Sequence, residues 1–231
     1  MTSNATKLPP PDRLRDVAGT LLTYADTPSG AARLHTDGSG RARLVLGHGA
    51  GGGVDAPDLL AARDAALGLG LQVVRIEQPW RVLDRRVAEA PPRLDAAWLA
   101  ALAALAPLPT VLGGRSAGAR VACRTSGQVE DVRGVLCLAF PLAPPGRTAD
   151  RAHELALPVV PRLVVQGARD AFGLPSAAVG VRVEVVAGAD HAFTVRRRDG
   201  REPEQVYAQV RALVGDWLAQ LLAGPVTQTL T

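Results

Sequence analysis

The segment Gly114-Arg115-Ser116-Ala117-Gly118 places a serine between two glycines, each two residues away. It follows the β-branched run Thr110–Leu112 and precedes a helical pattern from Ala117 to about Arg124. A serine on a sharp strand-to-helix turn projects its Oγ away from the backbone, and side chains two residues to either side would collide in such a turn. The hydroxyl becomes a nucleophile when a base removes its proton and a carboxylate orients that base. The plainer alternative for the same spacing is a helix N-terminus capped by Ser116.

Four histidines are candidates for the base. His35 and His48 precede the serine, and His153 and His191 follow it. His191 lies directly after the last strand pattern, in Gly188-Ala189-Asp190-His191, whereas His153 lies in a polar stretch with no strand end nearby, so His191 is the expected base. The acid is expected at Asp170, which follows Leu163-Val164-Val165-Gln166 through the turn Gly167-Ala168-Arg169. Asp131 falls at a strand start, Asp150 in a loop and Glu184 inside a strand, and Asp190 adjoins the histidine at an angle poorly suited to reach its ring. Backbone N–H groups facing a developing oxyanion are expected from Ala117 and from the loop Gly47-His48-Gly49-Ala50-Gly51-Gly52-Gly53, with Ala50 the first choice there and Gly51 the second. His48 is expected to brace that loop. Arg115 and Glu77, both near C-terminal strand ends, are expected either to pair and brace the turn or to leave Arg115 in solvent.

These loops need a scaffold. Strands are expected at Thr20–Tyr24, Ala32–Thr36, Ala42–Leu46, Leu71–Ile76, Thr110–Leu112, Gly134–Ala139, Arg162–Gln166 and Val181–Val186. Most are almost wholly apolar, as in strands covered on both faces, while the alternating Val181–Val186 suits an edge. Between them lie helices: one from an Asp55 N-cap to about Leu67, one with the stripe Leu94, Trp98, Ala101, Leu102 and Leu105, and one with Val206, Val210, Leu213, Trp217 and Leu221, opened by Pro203 and closed by Gly224-Pro225. Strand–helix alternation implies a mostly parallel sheet with helices on both faces and chemistry beyond its C-terminal strand ends. Residues 1–15 read as a flexible proline-rich tail and 16–231 as one domain, with only Pro141 to Pro158 available as a minimal lid.

Composition narrows the function. The 231 residues are 47% apolar and 21% charged, which suits one globular domain. Three Phe, two Tyr and three Trp are too few for a base-stacking surface, so no nucleic-acid partner is expected. Of 26 basic residues Lys7 is the only lysine, and its place in the tail excludes Schiff-base and Walker-lysine chemistry. The longest helical apolar run, Ala96 to Ala106, falls short of the roughly 20 residues needed to span a bilayer. Cys123 and Cys137 form neither a disulfide framework nor a metal cluster, and read as reduced core side chains. No cofactor or metal is expected. With no apolar leader at the start, the expectation is a cytoplasmic protein with a small-molecule acyl substrate, its oligomeric state left open. The cluster Arg196, Arg197, Arg198 and Arg201 reads as a solvated turn or a contact for an anionic partner.

At these residues the chain resembles the α/β-hydrolase superfamily, and within it the small KANL/Tex-type domain related to dienelactone-hydrolase-like proteins. The resemblance rests on Leu46–Gly53, Gly114–Gly118, Pro141-Leu142-Ala143-Pro144-Pro145-Gly146, Gln166–Asp170 and Gly188–His191, and covers about residue 20 to the end. It implies an eight-stranded-type sheet, Ser116 as nucleophile, Asp170 as acid and His191 as base. Dienelactone hydrolases proper carry cysteine where this chain has Ser116, and Ala119 stands where relatives often have a second glycine. Three functions remain in view: an esterase-like serine hydrolase, a hydrolase-like scaffold used for binding, and a dinucleotide-binding protein. The last is drawn from G-x-G-x-x-G at Gly47, Gly49 and Gly52 with Glu77 closing the next strand.

Overall fold

The computed structural model describes residues 14–15, 19–147 and 150–223. Its strands are β1 (Leu14–Arg15), β2 (Leu21–Thr27), β3 (Gly30–Asp37), β4 (Arg43–Gly47), β5 (Gln72–Glu77), β6 (Thr110–Arg115), β7 (Val132–Leu138), β8 (Arg162–Gly167) and β9 (Val181–Val186). The helices are α1 (Pro57–Gly68), α2 (Pro79–Val82), α3 (Pro91–Ala103), α4 (Ala117–Thr125), α5 (Ala152–Ala156) and α6 (Pro203–Ala223). All eight expected strands form. Leu14–Arg15, expected in the tail, instead pairs with β2, which moves the start of the fold earlier. The rest of the tail and the Gly224-Pro225 helix end lie outside the described residues.

The sheet order is β1-β2-β3-β5-β4-β6-β7-β8-β9. Pairs from β1 to β5 are antiparallel and all those from β5 across to β9 are parallel. Parallel strands need covered faces, and alternate side chains supply both. Leu44, Leu46, Val73, Leu136 and Leu163 pack with Leu59, Ala62, Val210 and Trp217 of α1 and α6. Val45, Val74, Leu112, Val135 and Val164 pack with Trp98 of α3 and Ala119 and Cys123 of α4. The alternating strand β9 is the sheet edge, as its pattern requires.

From β4 the chain crosses through α1 to β5 on one side, then through α2 and α3 to β6 on the other. Loops after β4 and β6 therefore diverge at their C-terminal ends, the place where open α/β sheets carry their sites. Dinucleotide folds of the 3-2-1-4-5-6 order would have a further parallel strand beyond β5. Here antiparallel β3 occupies that position, so the strand order does not follow the G-x-G-x-x-G outline.

One local expectation is corrected. α1 begins at Pro57 with Ala56 at its cap and no side-chain cap bond. Asp55 instead meets Arg75 Nη1 at 2.5 Å, with Asp37 3.2 Å from Nη2. Arg75 is buried in a central strand and takes both carboxylates as counter-charges, because an unpaired buried charge is far costlier than an uncapped turn. In the short lid segment, Glu154 of α5 meets Arg120 and Arg124 of α4 at 2.5 and 3.0 Å, fixing that helix to the fold.

Candidate active site

Gly47 and Gly114 are register partners on β4 and β6, and their close approach sets the geometry of the turn after β6. A Cβ on Gly114 would lie 2.5 Å from Gly47 O, and one on Gly118 would lie 2.2 Å from the same atom. The two glycines are thus needed because the turn packs directly on the backbone of β4, a stronger constraint than the crowding within the turn that the sequence shows. Between them Ser116 has φ 52° and ψ −110°, a conformation that costs a non-glycine residue about 1–3 kcal/mol. Its N–H donates to Leu138 O at 2.9 Å and its carbonyl accepts from Arg120 N–H at 3.2 Å, which hold it in place.

Ser116 Oγ lies 3.0 Å from His191 Nε2, and His191 Nδ1 lies 2.8 Å from Asp170 Oδ2. The Asp170 side chain is fully buried. It accepts from Phe172 N–H at 2.8 Å and from Gln166 Nε2 at 2.7 Å as well as from the imidazole, so the carboxylate is well supplied with donors. With Nδ1–H donated to that carboxylate, Nε2 is the ring nitrogen that can accept from Ser116 Oγ. The three side chains come from the ends of β6, β8 and β9 and lie within hydrogen-bond distance of one another in series. Asp190 is occupied elsewhere, its Oδ1 accepting the N–H groups of Ala192 and Thr194 at 2.9 Å each and folding the loop that presents His191. His153 is exposed on α5 and contacts Asp150 O.

Two neighbours escaped the sequence reading. Gln166 donates to Asp170, and the signal was its place four residues earlier at the same strand end. The Phe172 ring packs on His191 with centroids 4.3 Å apart, a contact set by a loop that has no periodicity to read.

His48 is buried, its Nδ1 2.9 Å from Gly49 O while its Nε2 accepts Gln78 N–H at 3.1 Å. Only the neutral ring can make both bonds, and burial accordingly pushes its pKa below the usual value. These contacts tie the loop after β4 to Gln78 at the start of α2. Ala50 and Ala117 line one small cavity of about 10 Å³ with His48, Gln78, Trp80 and Trp98; Gly51 does not. Ala117 opens α4, where backbone N–H groups have no partner within the helix.

Neither alternative expected for Arg115 holds: it does not pair with Glu77, and its side chain is only 14% exposed. Glu77 Oε2 lies 3.1 Å from Arg33 Nη1 and 3.2 Å from His35 Nε2, both on adjacent β3. Burial works to raise the Glu77 carboxyl, but the His35 hydrogen bond and the Arg33 charge outweigh it and hold the group below the usual range. Arg115 turns the other way, with Nε 3.0 Å from Asp58 Oδ2 in the first turn of α1 and Nη2 donating to His191 O at 3.0 Å. Antiparallel β3 supplies a nearer cation to Glu77, and α1 brings a buried acid to Arg115. Of the basic cluster, Arg201 bonds Ala187 O and Gln209, an intramolecular role for that member. Cys123 and Cys137 are free and buried, their sulfurs 3.5 Å apart.

The family model described as an alpha/beta hydrolase domain matches residues 40–219. The chain belongs to the alpha/beta hydrolase domain family. Solved structures share the fold of this alpha/beta hydrolase. An alpha-beta serine hydrolase homologue from Coxiella burnetii superposes with a TM-score of 0.66 at 18% identity, covering 85% of this chain and 96% of its own. Est1E from Butyrivibrio proteoclasticus gives 0.66 at 12% identity over 88% and 99% of the two chains. XC6422 from Xanthomonas campestris, described as an a/b serine hydrolase without lid, gives 0.63 at 17% identity over 88% and 97%. At these identities the likeness is one of fold. No curated protein matches the sequence significantly.

Proposed function

We propose that this alpha/beta hydrolase is an esterase-like serine hydrolase that cleaves a small or flexible ester, thioester or amide through an acyl-enzyme on Ser116. The observation that carries this reading is the unbroken chain of hydrogen-bond distances from Ser116 Oγ through His191 to buried Asp170. His191 Nε2 takes the hydroxyl proton as Ser116 Oγ bonds to the substrate carbonyl carbon. The imidazolium formed is stabilised by Asp170, which keeps its own negative charge. N–H groups of Ala117, the residue after the nucleophile, and of Ala50, in the loop after β4, receive the oxyanion. The tetrahedral intermediate then collapses as His191 returns the proton to the leaving group. Water, activated by the same imidazole, releases the acid and restores Ser116.

No helix among the described residues is long and apolar enough to cross a membrane. A cytoplasmic location, to which the two buried free thiols lend support, belongs to the proposal, as do a small-molecule partner and no nucleic acid. Among its described residues the segment between β7 and β8 carries one five-residue helix, which favours an open site suited to short or flexible acyl groups. Turnover of p-nitrophenyl acetate tests the reading. Ser116→Ala is expected to lower it by at least ~10⁴-fold with the fold retained. Equal turnover by the folded variant rejects the assignment, and no turnover by either protein favours the scaffold reading.

A further inference from the structure

Arg115 precedes the proposed nucleophile, yet its side chain reaches three other parts of the site. Nε lies 3.0 Å from Asp58 Oδ2, and the two side chains are 14% and 3% exposed. Nη2 donates to the His191 carbonyl at 3.0 Å, on the residue whose ring faces Ser116 and Asp170. Nη1 lies against the glycine loop after β4: a Cβ on Gly49 would come within 2.9 Å of it and 3.5 Å of Ser116 Cβ. A side chain at Gly49 would thus press on the guanidinium in its present place. Burial pushes the Asp58 carboxyl upward in pKa, and Arg115 opposes the shift. Tyr207 of α6 and Asp190 face the same group of charges.

We infer that Arg115 and Asp58 form a positioning pair, in which one planar guanidinium keeps the nucleophile turn, the oxyanion loop and the His191 backbone in a fixed mutual register. The inference rests on the serine-hydrolase reading. His191 is held at its ring by Asp170 and Phe172 and at its carbonyl by Arg115. Arg169 and Asp190 also hold this loop, but the Arg115 contact is the one that ties it to the residue beside Ser116, so its removal loosens their register, and a displacement of about 1 Å at a reacting centre costs on the order of 100-fold in rate. Lysine keeps the charge opposite Asp58 but has no fork to reach the carboxylate and the carbonyl together.

The test compares wild type with Arg115→Lys and with the double variant Asp58→Asn/Arg115→Met, which removes both charges and leaves no unpaired buried ion. Circular dichroism and melting establish folding, and kcat and KM are measured with p-nitrophenyl acetate well below Tm. Both variants are expected to lose roughly 10- to 100-fold in kcat, with KM changed by less than about threefold. Arg115→Lys is expected to keep most of the wild-type Tm while losing kcat, a separation that a merely structural ion pair would not produce. A folded variant of either kind with kcat within about twofold of wild type overturns the inference. If the double variant does not fold, Arg115→Lys decides alone by the same criterion. Failure of the hydrolase reading looks different: wild type itself then neither turns over ester nor reacts with a fluorophosphonate.

Discussion

Gly118→Ala is a one-atom perturbation whose consequence follows from the backbone. The added Cβ would stand 2.2 Å from Gly47 O and 2.4 Å from Gly47 C, both main-chain atoms of a strand paired on both sides. Restoring an ordinary contact of 3.4 Å requires the start of α4 and the end of β4 to part by about 1.2 Å. Overpacking of this kind costs about 1–3 kcal/mol, or roughly 2–12 °C in Tm at 2–4 °C per kcal/mol for a chain of this size. The displaced segment carries Ser116, whose Oγ is only 3.0 Å from His191 Nε2. The expected loss in kcat/KM is therefore on the order of 100-fold, larger than the stability cost alone would bring. The control is Gly53→Ala in the loop after β4, where an added Cβ meets nothing within 4 Å. Melting by calorimetry and turnover of p-nitrophenyl acetate are measured on all three proteins. Wild-type Tm and turnover in Gly118→Ala would refute the close-approach argument, as would equal losses in Gly53→Ala.

Gln166→Met removes one of the donors holding Asp170 and those to Phe140 O and Gly173 O. The expectation is about a tenfold fall in kcat with a lower Tm, and unchanged kcat in steady-state assays would exclude a role for Gln166 in holding the acid. His48 is kept neutral by burial when folded but takes up a proton near pH 6.5 when unfolded. Its stabilising contribution is thus present above that pH and lost as pH falls below it, by up to about 1.4 kcal/mol per pH unit. Melting scans from pH 7 to 5 are expected to slope less steeply for His48→Gln than for wild type, and parallel slopes would contradict this.

Much of the fold was legible because strands of a covered parallel sheet must be apolar on both faces, as Leu44-Val45-Leu46 and Leu163-Val164-Val165 are. Ser116 and Asp170 stand out because each follows such a run, and His191 because it follows the alternating edge strand Val181–Val186. Short elements were not: α2 and α5 have four and five residues, too few for a helical period to show. Neither could the sequence choose ion-pair partners. Arg115 and Glu77 both stand at strand ends, but β3 brings Arg33 and His35 to one and α1 brings Asp58 to the other, a matter of which neighbour lies on which side of the sheet. Asp55 looked like an N-cap because local chemistry allowed it, and buried Arg75, twenty residues later, took it instead.

The proposed chemistry requires above all that Ser116 be a nucleophile. Incubation of the wild-type chain with a fluorophosphonate, followed by intact mass and peptide mapping, is expected to give one adduct, on the peptide carrying Ser116, and none in Ser116→Ala. An unlabelled wild type, or an adduct on another residue, would contradict it.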